Sequence, residues 1–211
     1  MSPTLNPLET MMAEHRQIER ALAALEACAR QIEGGDDVPP TALSLFVRFL
    51  KGYADDLHHG KEEALLFEKM IDAGFPREAG PVAMMRLEHE RGRALVRELK
   101  ALGEKDAFSP VDRRRVVEVS FQFAALLRAH IQKEDRILYP MAEQRMPPES
   151  MEKLAEECRA HLAQHAQAEA DLVALAVSLE QQFIDRGRVP AAPAQDHHHR
   201  AVCPLCGGHA K

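Results

Sequence analysis

Ten residues occur twice in this chain, and that repetition restricts the fold more than any other feature. HHGKEEALLF at 58–67 aligns with HIQKEDRILY at 130–139; His, Lys, Glu and Leu match, and Glu/Asp and Phe/Tyr are conservative exchanges. A second echo sets EHRQIERAL at 14–22 against EHERGRAL at 88–95, one residue shorter in its later copy. Two copies of one structural unit are therefore expected. Each carries a lone histidine in its first part and a His-x-x-x-Glu in its second.

Each unit reads as a pair of helices. Gly/Pro-rich breaks fall at EGGDDVPP (33–40), DAGFPREAGP (72–81), LGEKDAFSP (102–110) and QRMPPES (144–150). Between them the apolar residues keep helical periodicity, which predicts helices over 5–33, 41–71, 81–102 and 110–144, and a fifth over 149–185. Pro110 after Ser109, and Pro148 after Pro147, suit first-turn positions. Ala, Leu, Glu and Arg dominate, and no segment sustains the two-residue alternation of a strand. The expected fold class is all-α: an up-down-up-down four-helix bundle over 5–146. A further C-terminal helix over 149–185 is expected to pack on the bundle or on a partner through Leu154, Leu162, Leu172, Leu175 and Leu179. A flexible tail is expected over 186–211.

Helical geometry then assigns faces, at about 100° per residue. With His130 at zero, Val116, Val119, Phe123, Leu126, Leu127, Ile137 and Met141 fall within about 60°, and Glu134 lies about 40° away. His15 sits among Leu8, Met11, Met12, Ile18 and Leu22, and His89 among Val82, Met85 and Val96. On the second helix, Leu43, Val47, Leu50, Ala54, Leu57 and Leu65 form the stripe, with His58 at its edge and Glu62 a little beyond. His59 and Glu63 are about 100° and about 140° from His58, so they are expected at a helix seam or in solvent.

A single histidine on an apolar face is ordinarily a core residue with a satisfied hydrogen bond. Four histidines and two glutamates in a two-fold pattern are different, because buried acceptors and charges without partners cost several kcal/mol each. A metal pair removes that cost by taking the imidazoles and carboxylates as ligands. Nitrogen and oxygen donors alone argue against a thiolate site, and six are too many for one tetrahedral zinc. Bridging carboxylates with two histidines per metal suit a dinuclear iron centre, with zinc and manganese left open. The His-x-x-x-Glu order differs from the Glu-x-x-His of ferritin-like bundles.

At these motifs the chain resembles the hemerythrin-like (HHE cation-binding) family. The resemblance covers residues 8 to 145 and rests on EHRQIE, HHGKEEALLF, EHERGRAL and HIQKEDRILYP in that order. It implies iron ligands at His15, His58, Glu62, His89, His130 and Glu134, with Glu62 and Glu134 bridging two oxo- or hydroxo-bridged iron ions. Two departures bear on function. The oxygen-carrying members place a further histidine one turn after the helix-3 ligand, where this chain has Arg93. Their last bridging carboxylate is an aspartate five residues after its histidine; here Asp135 stands at five and Glu134 at four, and Glu134 faces the core. With one histidine fewer, a more symmetric and more open iron pair is implied, and reversible oxygen carriage is put in doubt. In an iron-sensing relative the residue after the helix-2 histidine is a carboxylate that contributes to the site, which makes His59 an additional candidate ligand. Tyr53 and Tyr139 are candidate neighbouring hydroxyls.

The implied partners are small: O2, NO or peroxide, in sensing of oxygen, redox state or iron, or in an enzyme that removes peroxide or handles NO. No nucleophile–base pair, phosphate loop or organic-cofactor motif is evident. Acidic and basic residues are interspersed at a net charge of -6, which gives no nucleic-acid footprint and no polybasic membrane segment. No secretory signal and no apolar run of membrane-spanning length is seen, so a cytoplasmic monomer or homodimer is expected. Cys28 and Cys158 read as buried thiols, and His161 and His165 as a solvated pair. In the tail, CPLCGGH offers Cys203, Cys206 and His209 as part of a zinc or iron knuckle.

Overall fold

In the computed structural model, residues 6–184 are described. They form five helical rods, and there is no strand among the described residues. α1 is Pro7–Glu33, capped by the Asn6 side chain, which accepts from the Leu8 N–H. α2 covers 41–72, α3 is Gly80–Gly103, α4 covers 110–145 and α5 is Pro148–Phe183. α4 opens on a reciprocal capping box between Ser109 and Asp112 with Pro110 in its first turn, an arrangement that satisfies two otherwise orphaned donors. The expected tail, with Cys203, Cys206 and His209, lies outside the described residues.

Two of the rods are not uniformly α-helical. Within α2, Leu50–His59 and Glu62–Leu66 are π-helical, and within α4 so is Glu134–Leu138. The Gly60 N–H reaches the Asp55 carbonyl, Phe67 reaches Glu62 and Tyr139 reaches Glu134, each five residues back. Such wide turns advance by less than an α-helical residue's angle and concentrate at functional sites.

Two apolar clusters hold the rods together. The larger includes Ile18, Leu22 and Leu25 of α1, Leu43, Phe46 and Phe49 of α2, Leu99 of α3, and Val116 to Ile131 of α4. The smaller includes Leu8 and Met11, Leu66 and Phe67, Val82 and Met85, and Leu138 and Tyr139. Along α1 and α3 the chain passes from the smaller cluster to the larger, and along α2 and α4 the order is reversed. Between the clusters lies one layer of buried polar side chains: His15, His58, His59, Glu62, His89, His130 and Glu134. α5 lies along α1 and α2, burying Leu154 and Cys158 in the smaller cluster and Leu172 and Leu179 in the larger. Cys28 is buried as well, and burial raises its thiol to about 12 and that of Cys158 to about 11.

Candidate metal centre

Four helices send their ring nitrogens to one point. His15 Nε2 of α1 stands 2.9 Å from His58 Nε2 of α2, and His89 Nε2 of α3 stands 3.0 Å from His130 Nε2 of α4. All four rings are buried. Their other nitrogens face carboxylates: His15 Nδ1 and Asp135 at 2.6 Å, His58 Nδ1 and Glu14 at 2.8 Å, His89 Nδ1 and Glu63 at 2.6 Å, His130 Nδ1 and Glu88 at 2.9 Å. Three of these carboxylates come from the preceding helix, and Asp135 of α4 closes the ring on α1. A base backs every one: Lys61 on Glu14, Lys133 on Glu88, Arg16 on Asp135 at 2.6 Å and Arg93 on Glu63 at 2.9 Å.

This ring fixes the tautomers. A carboxylate takes the proton on Nδ1, so a neutral ring presents its Nε2 lone pair inward. Two inward lone pairs about 3 Å apart repel unless a cation or a shared proton lies between them. The two rings of each pair are shifted in opposite directions. Burial would lower His15, but Asp135 and Glu134 raise it to about 9, while burial takes His58 down to about 4 despite Glu14. Burial likewise opposes a charge on His130, yet Glu134 and Glu88 raise it to about 9, and burial lowers His89.

The two glutamates occupy the space between the pairs. Glu134 brings Oε1 to 3.0 Å from His130 Nε2 and Oε2 to 3.3 Å from His15 Nε2, so it spans both pairs. Neither approach has hydrogen-bond geometry, and both oxygens are fully buried without a partner. Glu62 Oε2 is in the same condition, 3.5 Å from His89 and 3.8 Å from His58, while Glu62 Oε1 accepts from the Tyr139 hydroxyl at 2.6 Å. Burial and the neighbouring Glu134 carboxylate raise Glu62 well above the usual range. Glu134 is desolvated too, yet His130 and His15 hold it well below that range.

His59 corrects the sequence expectation. It lies neither at a seam nor in solvent; it is buried, stacked on His89 with ring centroids 3.9 Å apart, and both its nitrogens lack a hydrogen-bond partner. The π-helical run ending at His59 narrows the angle between it and His58, so both rings enter the core. Burial, with His89, His58 and His130 nearby, lowers its affinity for a proton well below the ordinary value. Glu63, expected at a helix seam or in solvent, lies at a seam, as the half-buried partner of His89 and Arg93 on α3. Ile137, expected in the apolar stripe, is 53% exposed, because the π-helical turn at Glu134–Leu138 rotates it away. Tyr139 is the hydroxyl that reaches the site; Tyr53 stacks on Phe49. Arg93 turns from the centre to Asp55, Glu63 and Glu90. His161 and His165 are half-buried on α5, beside Glu14 and Lys61, rather than solvated.

Donor atoms thus gather in two groups. His15, His58, Glu62 and Glu134 offer one atom each within 4.8 Å of one another, and so do His59, Glu62, His89 and His130. Glu62 belongs to both. Leaving a buried donor or acceptor unpaired costs about 1–3 kcal/mol, and such atoms here are Glu62 Oε2, both Glu134 oxygens and both nitrogens of His59. A cation in each group would satisfy the carboxylate oxygens and one nitrogen of His59, so the residues fit a metal centre. The ring of Glu14, Glu63, Glu88 and Asp135 was missed in the sequence, although the repeat carries it: an acid precedes each lone histidine and follows each ligand glutamate.

The comparisons agree with this geometry. The family model described as hemerythrin HHE cation binding domain matches residues 6–142. Three curated relatives, all described as uncharacterized proteins, come from Mycobacterium bovis and from two strains of Mycobacterium tuberculosis. Each is 26% identical over 133 residues, covering 63% of this chain and 51% of the relative. The chain therefore spans about half the length of those relatives. No solved structure matches. Among the described residues no helix is long and apolar enough to cross a membrane.

Proposed function

The chain belongs to the hemerythrin HHE cation-binding family, and from that premise we propose that it is a non-haem di-iron protein which binds O2, NO or peroxide in oxygen, redox or iron sensing. α1 to α4 form its up-down-up-down bundle. His15 and His58 would hold one iron and His89 and His130 the other, with Glu62 and Glu134 as the carboxylate ligands that both halves share. His59 would add a third imidazole to the His89/His130 half. The single observation that carries this reading is that Glu62, Glu134 and His59, which gather with the two histidine pairs, have buried donor atoms without a partner.

Bound iron supplies open coordination positions and reversible one-electron chemistry at the midpoint of the bundle. The chain's own residues do the rest. Glu14, Glu63, Glu88 and Asp135 keep the four Nε2 lone pairs pointed inward. Outer carboxylates of this kind are worth 10–100-fold in metal affinity. The apolar clusters on either side exclude water from the layer.

A second reading is an iron-dependent enzyme that removes peroxide or handles NO. Tyr139 favours it, because its O–H is hydrogen-bonded to Glu62 and lies 3.4 Å from His15 Nε2. That hydroxyl is a proton held at the centre, which a passive binding site does not need. Adding peroxide to the anaerobically purified, iron-loaded chain separates the readings. Catalytic oxygen release supports turnover; one stoichiometric spectral change without release supports binding and sensing. No change in the visible spectrum with O2, NO or peroxide overturns both.

A further inference from the structure

A cavity of about 380 Å³ opens between α2, α3 and α4 and ends against one of the donor groups. Its buried inner end is formed by His59 and His130, and its exposed lining residues include Lys51, Arg97 and Lys100. Apolar side chains such as Leu50, Val96, Phe123 and Leu127 make its walls. The space exists because the two copies of the repeat differ in size here. Three residues after His15 stands Ile18, fully buried; three after His89 stands Gly92, whose missing Cβ would rest at 3.7 Å from Phe123. Ala54 of α2 lines the same cavity. The missing side chain at Gly92 thus leaves space on the His89/His130 side, where on the other side Ile18 is packed into the core.

The size and charge of that void select its occupant. Water occupies ~30 Å³ in the liquid, so the cavity has room for about a dozen non-hydrogen atoms, far more than a diatomic or peroxide needs. Its apolar walls disfavour a polar ligand there. Its lining includes four cations, Lys51, Arg93, Arg97 and Lys100, and two carboxylates, Asp55 and Glu88. Both carboxylates are already bonded, Asp55 to Arg93 and Lys51, and Glu88 to His130 and Lys133. Arg97 enters no ion pair among the described residues, and Lys100 meets only Glu104, at 3.7 Å on the surface. The cations in excess are therefore the two outermost ones. We propose that this cavity binds a single-chain amphipathic anion, such as a medium-chain carboxylate, with its apolar chain directed toward His59 and its head group on Arg97 and Lys100. An occupant would close this approach to one half of the centre; that consequence rests on the proposed metal reading, whereas the binding itself does not.

The probe is decanoate, titrated calorimetrically into the full chain in metal-free and iron-loaded form. Saturable 1:1 binding in both forms is expected, with decanol at least about tenfold weaker because it lacks the charge that Arg97 and Lys100 recognise. The double variant R97E/K100E should weaken decanoate by about tenfold or more. Ala54→Leu and Gly92→Ile, which add side-chain bulk to the lining, should abolish binding. No saturable binding below the micellar limit overturns the proposal, as does equal affinity for decanol or an unchanged affinity in R97E/K100E. That surface pair decides the matter even where a filling variant fails to fold. Binding retained by a folded Ala54→Leu places the ligand elsewhere and also overturns it. Loss of iron from the wild-type chain would defeat the metal reading while leaving every one of these outcomes measurable.

Discussion

On the His15/His58 side of the centre, Tyr139 stacks on His15 with centroids 5.7 Å apart and donates a hydrogen bond from its hydroxyl to Glu62. On the His89/His130 side the equivalent aromatic is Phe67, stacked on His89 at 5.9 Å with nothing to donate. The same comparison at the residue after the second histidine sets Ile131, an apolar core residue, against His59, a ring with two free nitrogens. Ile18 fills the first side, and Gly92 leaves a cavity on the second. Two copies of one repeat thus share their four histidines, their two glutamates and their ring of carboxylates. They differ in three positions that decide donor count, proton supply and access. The donor groups are unequal in one respect: His59 of α2 gathers with His89, His130 and Glu62, whereas His15 and His58 gather with Glu62 and Glu134 and no third histidine.

Experiments can break this comparison, beginning with the largest effects. His58→Ala and His130→Ala each remove an inward nitrogen and strand the carboxylate that bonded it. Each should remove at least one metal, and metal analysis checks both. His58→Ala should be the more damaging, since its half has no third imidazole. Equal losses would show that His59 contributes nothing. Next come the outer carboxylates. Glu14→Gln should weaken metal binding by about 10–100-fold, while Glu88→Gln should weaken it less, because His59 still holds that half; competition with a chelator measures the difference. His59→Ala should lower affinity in one half only, giving two separated steps in a metal titration where the wild type gives closer ones. Ile131→Ala should leave both metals in place. It should cost about 2–5 kcal/mol of folding stability, as cavity-forming core truncations do, read by denaturant unfolding of the metal-loaded chain. Smallest of all, Tyr139→Phe makes the halves alike at this position. It removes one hydrogen bond of about 1 kcal/mol and should leave metal content unchanged while diminishing any peroxide turnover. Unaltered turnover would discount Tyr139 as a proton source.

The sequence disclosed what obeys α-helical geometry. Gly/Pro breaks marked the rods to within about two residues of their observed ends, and the 3.6-residue period put His15, His89, His130 and Glu134 inside. It failed where the helix departs from that period. His59 and Ile137 were misplaced by the 100° rule, and both lie within the π-helical turns of α2 and α4. No local residue pattern announces those turns. The ring of Glu14, Glu63, Glu88 and Asp135 was hidden for another reason. An acid beside a ligand looks like an ordinary surface charge until the neighbouring helix supplies the imidazole it meets.

The central claim is that Glu62, common to both donor groups, joins two metals into one centre. Iron analysis of the anaerobically purified chain beside its Glu62→Ala variant tests it most directly. The account predicts two irons per wild-type chain, one for each donor group, and loss from both groups together in the variant. A wild-type chain that holds one iron or none, or a Glu62→Ala chain that keeps two, would contradict it.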